Sequence, residues 1–257
     1  MTKFSIRNVT YVYSSGTPYE MKALDNVSVD INEGTITGLI GHTGSGKSTL
    51  VQLLNGLEKP TSGQIFLDGE DIFKKPKELY RLRFRVGLVM QYPEYQLFED
   101  TVFKDIAFGP KNMGLDAEEI AKRVNESLDF VGLDKSVLDK SPFELSGGQK
   151  RRVAIAGVMA MDPEVLILDE PVNGLDPEGI RWIRTLLKDY ADKGGTVLLS
   201  SHLLSEVQKI ADHIIMICGG KILADKSLDE LLKEGDDLED IYIKYTENFS
   251  RGTGYGK

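Results

Sequence analysis

The hydrophobic pattern of the first sixty residues predicts strands, a glycine-rich turn and a helix. Apolar and polar positions alternate over residues 4–12 and 23–31, and residues 34–40 form a short apolar run. Alternation with a period of two is typical of half-buried strands. After the glycine-rich turn, leucines recur at helical spacing over residues 48–57. Strand, glycine loop and helix in this order are the setting that a phosphate-binding loop requires.

The pattern changes from strand-like to helical near the middle of the chain. Residues 61–91 return to strand signals, and residues 92–153 have a helical character. Asp116 and Glu119 form an N-terminal capping pattern ahead of an apolar stripe that recurs every fourth residue. This stretch predicts a helical subdomain inserted at about 92–153.

Buried strands and helices are predicted again in the last third of the chain. The continuous apolar runs at 165–168 and 196–200 are typical of strands buried on both faces. Residues 180–191 between them predict a helix, and residues 214–224 predict a hairpin around two glycines. Residues 250–257 are polar and are predicted to be a flexible tail.

Composition and charge narrow the class of protein. The 257 residues are 41% hydrophobic and 28% charged, which is ordinary for a globular domain, and the formal net charge is −9. This acidic balance argues against a nucleic-acid partner, because a nucleic-acid-binding face needs clustered Lys and Arg. The basic run 150–152 is interpreted as a solvated helix face. A single cysteine permits no internal disulfide, and no apolar stretch approaches the ~18 residues of a membrane span.

Residues 41–48 match the pattern G-x-x-x-x-G-K-[ST] of a phosphate-binding loop. Its glycines let successive backbone N–H groups turn inward around an anion, and the following helix N-terminus reinforces this. Lys47 brings a positive charge to the β- and γ-phosphates, and Ser48 offers a hydroxyl to Mg²⁺. The alternative is a coincidental glycine loop, which the strand, loop and helix context argues against.

Two carboxylates, Asp169 and Glu170, follow the apolar run at 165–168. In a parallel sheet the carboxyl ends of the strands line the crevice in which ligands bind. Asp169 is therefore predicted to hold Mg²⁺, usually through water, and Glu170 to polarise the attacking water. The alternative is an acidic pair that begins a turn, since Pro171 follows.

The sequence Leu-Ser-Gly-Gly-Gln at 145–149 decides between classes of nucleotide-binding protein. By itself it could be a plain helix cap. About 20 residues before an apolar strand that ends in Asp-Glu, in a chain with a phosphate loop, it resembles the signature of ATP-binding-cassette ATPases. The resemblance covers residues 1 to about 245. It implies an α/β fold, a P-loop NTPase core (RecA-like plus a β subdomain) with an inserted α-helical subdomain, in one nucleotide-binding domain over 1–249.

The resemblance also implies roles for residues outside the phosphate loop. Ser146 and Gly148 match the signature residues that touch the γ-phosphate of ATP held by a partner chain. Tyr13 matches the aromatic residue that stacks on adenine, although Tyr11 is close enough to compete, and strand packing is the alternative for both. Gln91 matches the glutamine that senses Mg²⁺ and the attacking water.

Two further residues follow from the same resemblance. Asp176 matches the acidic residue of a loop that crosses the dimer interface, and His202 matches the switch histidine that contacts the γ-phosphate. The predicted catalytic residues are Lys47, Gln91, Glu170 and His202, and the predicted metal ligands are Ser48, Gln91 and Asp169. The predicted nucleotide-binding residues are Tyr13, Gly41, Gly44, Ser45, Gly46, Lys47, Ser48, Thr49, Ser146, Gly147, Gly148, Gln149 and Asp176.

The branch of the family differs between the two parts of the chain. Motifs at 41–44, 54–57, 86–98 and 108–110 resemble the ATPases of energy-coupling-factor vitamin and metal importers. From about 172 to 245 the motifs resemble ATPases of drug and antimicrobial-peptide exporters. This suggests a hypothesis that the chain is a recombination of two parents joined near residues 170–180. Natural sequences equally similar across both parts would contradict it.

The resemblance implies an ATPase that binds Mg-ATP between two chains arranged head to tail. Lys47 and Ser146 then belong to different composite sites, so the partner is an identical or a related ATPase chain. The chain is expected to be the motor subunit of a membrane transporter on the cytoplasmic face, with the segment after Gln91 docking on integral membrane subunits. The alternative is a stand-alone or engineered ATP-binding module without a transport partner.

Overall fold

The computed structural model describes residues 1–235 and 237–253 as ten strands, nine helices and short 3-10 turns. The strands are β1 (Thr2–Tyr13), β2 (Met21–Asn32), β3 (Ile36–Ile40), β4 (Ser62–Leu67), β5 (Glu70–Asp71), β6 (Val86–Val89), β7 (Val165–Asp169), β8 (Thr196–Ser201), β9 (His213–Cys218) and β10 (Lys221–Ser227). The helices are α1 (Lys47–Leu54), α2 (Leu79–Arg85), α3 (Val102–Asn112), α4 (Ala117–Phe130), α5 (Gly147–Met159), α6 (Pro177–Asp192), α7 (Leu204–Val207), α8 (Leu228–Leu231) and α9 (Leu238–Thr253).

A six-stranded sheet in the order β10-β9-β3-β8-β7-β6 forms the centre of the molecule. Its strands β9, β3, β8, β7 and β6 are parallel, and β10 pairs with β9 as an antiparallel hairpin. The parallel strands are nearly continuous apolar runs because both faces of the sheet are covered. On β7, for example, Leu166 and Leu168 face one core while Val165 and Ile167 face the other. The predicted α/β class is confirmed.

The two faces of this sheet are covered by different material. One face packs against α1 and a four-stranded antiparallel sheet in the order β2-β1-β4-β5. The other face packs against α3 to α7, α9 and the apolar residues between them. This division leaves the carboxyl ends of β3, β6, β7 and β8 together at one edge, where the predicted site residues follow each strand.

The stretch predicted to be a helical subdomain contains α3, α4 and α5, which lie between β6 and β7 in the chain. Asp116 caps α4 by accepting a hydrogen bond from the Glu119 N–H at 2.9 Å, as its sequence pattern predicts. Helix α5 runs to Met159, six residues beyond the expected end. The boundary at 92–153 stays a prediction, because these helices do not by themselves separate one subdomain from another.

Helix α2 is absent from the sequence-based expectation, which assigned strand signals to residues 61–91. Its seven residues bury only Leu82, so no apolar stripe marks it in the sequence. Leu79 and Leu82 lie against Gly56, where an added Cβ would come within 3.1 Å of their side chains. The helix therefore depends on a tertiary contact with the end of α1 rather than on its own pattern.

The C-terminal segment that the structure describes is helical. Helix α9 is assigned as far as Thr253. The flexible tail at 250–257 stays a prediction, and residues 254–257 of it lie outside the described residues. Leu238 and Ile241 anchor the first turn of α9 in the main core. Among the helices that the structure describes, none is both long and apolar enough to cross a membrane.

Four charged side chains form a cluster near the amino ends of the parallel strands. Lys3 Nζ lies 2.7 Å from Glu164 and 3.1 Å from Asp68, and the Arg85 guanidinium also contacts both carboxylates. The cluster joins β1, α2, the turn after β4 and the residue before β7. Hydrogen bonds from Arg85 lower the pKa of Glu164 to about 2, against the opposing effect of burial.

We expect Glu164→Gln to lower the free energy of unfolding at pH 7 by about 1 kcal/mol, since the carboxylate is 43% exposed and solvent screens the pairs. The ionised carboxylate favours the folded state because its pKa falls from 4.5 to about 2 on folding. The loss of unfolding free energy caused by Glu164→Gln should therefore be complete above about pH 4.5 and should disappear as the pH falls towards 2. Urea unfolding across this range measures it. Glu126→Gln, at an exposed position, is the control, and a pH-independent loss for Glu164→Gln would contradict the assignment.

Candidate functional site

A crevice of about 250 Å³ lies at the carboxyl edge of the parallel strands. It collects residues that are far apart in the chain, because β1, β6, β7 and β8 all end there or beside it. Tyr13, Gly44, Gly46, Lys47, Ser48, Thr49, Gln91, Glu170 and His202 are the predicted residues that line it.

The phosphate loop connects β3 to α1 and has a backbone suited to an anion. Gly46 has a φ of +109°, and a Cβ at this position would lie 2.6 Å from the Ala23 carbonyl oxygen, so a side chain is excluded. Helix α1 begins at Lys47 without a side-chain cap. Its first N–H groups therefore remain available for a phosphate. Gly41 and Ser45 lie behind the loop rather than among the residues that line the crevice.

Lys47 is buried and is held by the loop in which it stands. Its Nζ donates to the Gly41 carbonyl at 2.8 Å and to the His42 carbonyl at 3.3 Å. It also lies 3.3 Å from Glu170 Oε1. A buried ammonium group needs such partners because the loss of hydration is costly.

Ser200 on β8 organises the two carboxylates at the end of β7. Its hydroxyl donates a hydrogen bond to Asp169 Oδ1. The same oxygen accepts a hydrogen bond of 3.1 Å from the Glu170 N–H. Glu170 has a φ of +51°, a left-handed conformation that is uncommon for a residue with a side chain. Asp169 lies behind the crevice, whereas Glu170 projects into it. Sequence reasoning missed Ser200, which lies at the end of a predicted strand.

Glu170 is held between two cationic or hydrogen-bonding groups. Its Oε1 faces Lys47, whereas its Oε2 faces His202. Oε2 lies 2.8 Å from His202 Nδ1 and accepts a hydrogen bond from the His202 backbone N–H at 3.2 Å. A carboxylate accepts hydrogen bonds, so Nδ1 carries the proton and Nε2 is left for another contact. The predicted general base and the predicted switch histidine are thus in direct contact.

The structure separates the two candidate tyrosines. Tyr11 is only 9% exposed and donates its hydroxyl proton to Glu58 at 2.7 Å. Burial, followed by that hydrogen bond, raises the pKa of Tyr11 to about 12. Tyr13 lines the crevice, packs edge to face against the Tyr11 ring at 4.8 Å, and shares a 3.0 Å hydrogen bond with Thr49 Oγ1. Tyr13 is therefore the tyrosine at the crevice, and Tyr11 belongs to the core.

The signature residues 146–149 do not line this crevice. Ser146 and Gln149 form a capping box at the start of α5, with reciprocal hydrogen bonds of 3.3 Å and 3.1 Å. A Cβ at Gly147 or Gly148 would meet no atom within 4 Å, so packing within this chain does not require glycine there. Asp176 likewise lies outside the crevice and caps α6, accepting from the Gly179 N–H at 2.8 Å.

The interpretation of the basic run 150–152 as a solvated face is wrong. Arg151 is only 5% exposed and makes two hydrogen bonds to the Glu94 carboxylate, of 2.9 Å and 3.0 Å. The Arg152 guanidinium lies 4.2 Å from the centre of the Trp182 ring. The sequence did contain a signal, because Arg151 stands four residues before Ile155, on the buried face of α5.

Arg151 connects three segments around the crevice. Besides Glu94, which follows Gln91, it donates to the Asn173 carbonyl at 2.8 Å in the loop after Glu170. Burial would raise the pKa of Glu94, but the hydrogen bonds from Arg151 outweigh it and lower that pKa below its usual value. The signature helix, the segment after β6 and the loop after β7 are therefore held by one side chain.

Comparison with known proteins identifies the family. The family model described as ABC transporter matches residues 24–173, which contain the phosphate loop, the signature and the acidic pair. The chain belongs to the ABC transporter ATPase family. As a member it binds and hydrolyses ATP.

Relatives and solved structures agree with this assignment. An energy-coupling factor transporter ATP-binding protein EcfA2 of Clostridium acetobutylicum is 55% identical over 241 residues, 92% of this chain and 83% of the relative. The EcfA2 of Clostridium perfringens is 53% identical over the same share of this chain and 84% of its own length. The structure of cbiO1 from Clostridium perfringens, part of the ABC transporter complex cbiONQ, has a TM-score of 0.81, 38% identity and 91% coverage of each chain.

A second solved structure shows a dimer of this fold. The ATP-binding cassette MJ0796, in a dimeric post-hydrolysis state bound to ADP and Pi, has a TM-score of 0.79 and 30% identity. It covers 88% of this chain and 98% of its own.

The hypothesis of a recombined chain finds no support in these relatives. The Clostridium acetobutylicum protein covers 92% of the chain, so its match includes the residues before and after 170–180. The exporter-like motifs after residue 172 therefore lie in a chain that resembles a natural protein both before and after residues 170–180.

We expect Arg151→Met to lower the free energy of unfolding by about 3 kcal/mol, because it leaves the Glu94 carboxylate, which is only 16% exposed, without its partner. Lys150→Met, one residue away and partly exposed, should change it by less than about 0.5 kcal/mol. Denaturant unfolding of both variants measures the difference. Adding Glu94→Gln to Arg151→Met should recover part of the loss, and strictly additive losses would contradict direct pairing.

Proposed function

We propose that this ATPase binds Mg-ATP in the crevice and hydrolyses it between two chains arranged head to tail, as the motor subunit of a membrane transporter. The observation that carries the proposal is that the crevice residues and the signature residues lie at separate places on one chain. Lys47, Glu170 and His202 meet in one crevice, whereas the signature at 146–149 lies elsewhere on the same chain with its glycines uncovered.

The crevice has the features that ATP requires. The phosphates fit the loop 41–48, where glycine backbone and the uncapped start of α1 offer N–H donors. Lys47 has three N–H donors, so it can keep the Gly41 carbonyl and direct another proton to a phosphate. Tyr13 lines the same crevice, and we assign its ring to the adenine. A stacked base contributes ~1–3 kcal/mol.

Magnesium fits the oxygen donors near the loop. Mg²⁺ prefers oxygen ligands and keeps several waters, so a few protein contacts suffice. Ser48 and Gln91 line the crevice with a hydroxyl and an amide. We assign Asp169, which Ser200 holds at the end of β7, a contact with the ion through water. When bound, the ion supplies charge neutralisation on the phosphates.

Glu170 is the proposed general base and His202 the proposed γ-phosphate contact. The carboxylate already accepts from His202 Nδ1, and that contact orients the imidazole with Nε2 away from Glu170. Once Lys47 turns to the phosphates, Glu170 Oε1 becomes available to accept a proton from the attacking water. The left-handed backbone at Glu170 places this carboxylate in the crevice, whereas Asp169 one residue earlier points behind it.

A second chain completes the site. Ser146 has an exposed position at the start of α5, where a helix N-terminus favours an anion. We place the γ-phosphate of the partner's nucleotide there, with Gly147 and Gly148 allowing close approach and Asp176 at the chain boundary. The dimeric cassette MJ0796 supports this arrangement. The partner is an identical chain or a related ATPase.

The transport role rests on the relatives and on an exposed aromatic surface. The EcfA2 proteins are named as transporter ATP-binding proteins, which favours an energy-coupling factor transporter over an exporter. This surface contains Phe98 and Phe108, whose rings lie 5.0 Å apart, and the exposed Tyr95 three residues before Phe98; these three residues are here called the docking aromatics. Tyr95 is 83% exposed. We propose that integral membrane subunits cover it at the cytoplasmic face.

We expect Glu170→Gln to keep ATP binding while phosphate release falls at least ~10²-fold, because the amide cannot accept the proton from water. The variant should form a dimer in saturating Mg-ATP and return to monomer without it. Light scattering and phosphate release measure the two properties. Lys47→Ala, which removes the phosphate-binding charge, is expected to lose ATP binding and dimer formation. A Glu170→Gln chain that stays monomeric in Mg-ATP would overturn the head-to-tail scheme.

The double variant Tyr95→Ser/Phe98→Ser should lose at least about nine-tenths of its copurification with integral membrane proteins from the source cell, since removal of aromatic anchors weakens an interface most. Its ATPase activity in isolation should stay near that of the unchanged chain. Tyr19→Ser, an equally exposed aromatic in the β1–β2 turn, is the control. If the double variant copurifies as well as the unchanged chain, the docking aromatics are not the docking site. If the unchanged chain itself does not copurify with membrane proteins, a stand-alone module is favoured.

A further inference from the structure

The peptide group between Gly41 and His42 is held at both of its ends. Its carbonyl oxygen, on Gly41, accepts a hydrogen bond from Lys47 Nζ at 2.8 Å. Its N–H, on His42, donates to the hydroxyl of Tyr242 at 2.8 Å. Tyr242 lies in the last helix, α9, 200 residues further along the chain.

A peptide group is planar and trans, so its C=O and N–H point in opposite directions along one rigid plane. A contact that fixes the direction of the His42 N–H also fixes the direction of the Gly41 carbonyl. That carbonyl is the nearest hydrogen-bond acceptor of the Lys47 ammonium group. The orientation of Tyr242 is thereby transmitted to the lysine that we assign to the phosphates.

Tyr242 is itself firmly placed. Leu238 and Ile241, in the same first turns of α9, are fully buried in the main core. The Tyr242 ring packs against that core, and burial raises the pKa of its hydroxyl, so the group stays neutral and accepts the His42 N–H. The hydroxyl therefore has little freedom to follow a movement of the loop.

The rest of His42 is held by groups near the loop. Its carbonyl accepts from the Ser45 N–H at 3.1 Å and from Lys47 Nζ at 3.3 Å. Its ring Nε2 lies 3.5 Å from Cys218 Sγ, at the end of β9. Tyr242 adds a contact from a separate element, which connects the phosphate loop to the C-terminal helix.

We propose that Tyr242 is a positioning residue for Lys47, acting through the Gly41–His42 peptide group. This rests on the proposed role of loop 41–48 in binding the phosphates. Loss of the hydroxyl frees the peptide group to rotate, so the Lys47 ammonium group is less well placed before nucleotide arrives. The effect belongs to nucleotide binding, because the proposed base Glu170 keeps its contact with His202.

Tyr245 provides a matched control on the same helix. Its hydroxyl donates to Glu234 at 3.0 Å and accepts from Lys226 Nζ at 3.0 Å, away from the phosphate loop. Tyr242→Phe and Tyr245→Phe each remove one hydroxyl from α9. A general weakening of the helix should therefore affect both variants, whereas positioning of Lys47 should affect only the first.

We expect Tyr242→Phe to raise the KM for ATP and the Kd for ADP about fivefold, the equivalent of one neutral hydrogen bond. Its kcat should stay within about twofold of the unchanged chain, and Tyr245→Phe should alter neither constant. Amide hydrogen exchange at His42 should be faster in Tyr242→Phe alone, which tests the peptide contact without reference to activity. Thermal unfolding of both variants shows whether the helix is equally stable.

The positioning role would be overturned if Tyr242→Phe and Tyr245→Phe had the same KM for ATP and the same Kd for ADP. It would also be overturned if Tyr242→Phe lowered kcat and left KM unchanged. Unchanged His42 exchange in Tyr242→Phe would overturn it as well. Lys47→Ala separates this result from a failure of the proposed function. If Lys47→Ala abolishes ATP binding while Tyr242→Phe behaves as the unchanged chain, only the positioning role fails. If Lys47→Ala binds ATP normally, the phosphate-loop assignment fails first.

Discussion

The pairing of the Lys47 ammonium group with Glu170 is the interaction on which the crevice depends. A buried cation requires an anion or several acceptors nearby, and here it has the carboxylate together with two carbonyl groups of its own loop. The same carboxylate accepts from His202. Strands β3, β7 and β8 must therefore be in register for these charges to meet, so the parallel sheet and the site are specified together.

Much of the core was predictable because its pattern is strong. The runs at 165–168 and 196–200 correspond to β7 and β8, and the hairpin at 214–224 corresponds to β9 and β10. Parallel strands buried on both faces leave a continuous apolar signal, and motifs that follow them must meet at one edge. That rule is enough to bring Lys47, Glu170 and His202 into one crevice before any coordinates are known.

Other features depend on contacts that no local pattern records. Helix α2 forms against Gly56, and Arg151 is buried because Glu94 and the loop after Glu170 surround it. Ser200 is an ordinary strand residue until β8 pairs with β7. The choice between Tyr11 and Tyr13 likewise required knowledge of which ring faces the core. In each case the partner is distant in sequence, so the residue alone does not reveal its role.

The capping box at Ser146 has a consequence for the proposed association of two chains. A serine hydroxyl has one proton and two lone pairs, and Ser146 uses a lone pair to accept from the Gln149 N–H. The proton remains available for an external acceptor. A chain without its partner therefore keeps the hydrogen bond that caps the start of α5. In the proposed dimer, the same hydroxyl can donate its proton to a phosphate while it still accepts from the Gln149 N–H. Association and dissociation can repeat through many catalytic cycles with no fraying and reforming of this helix at each one.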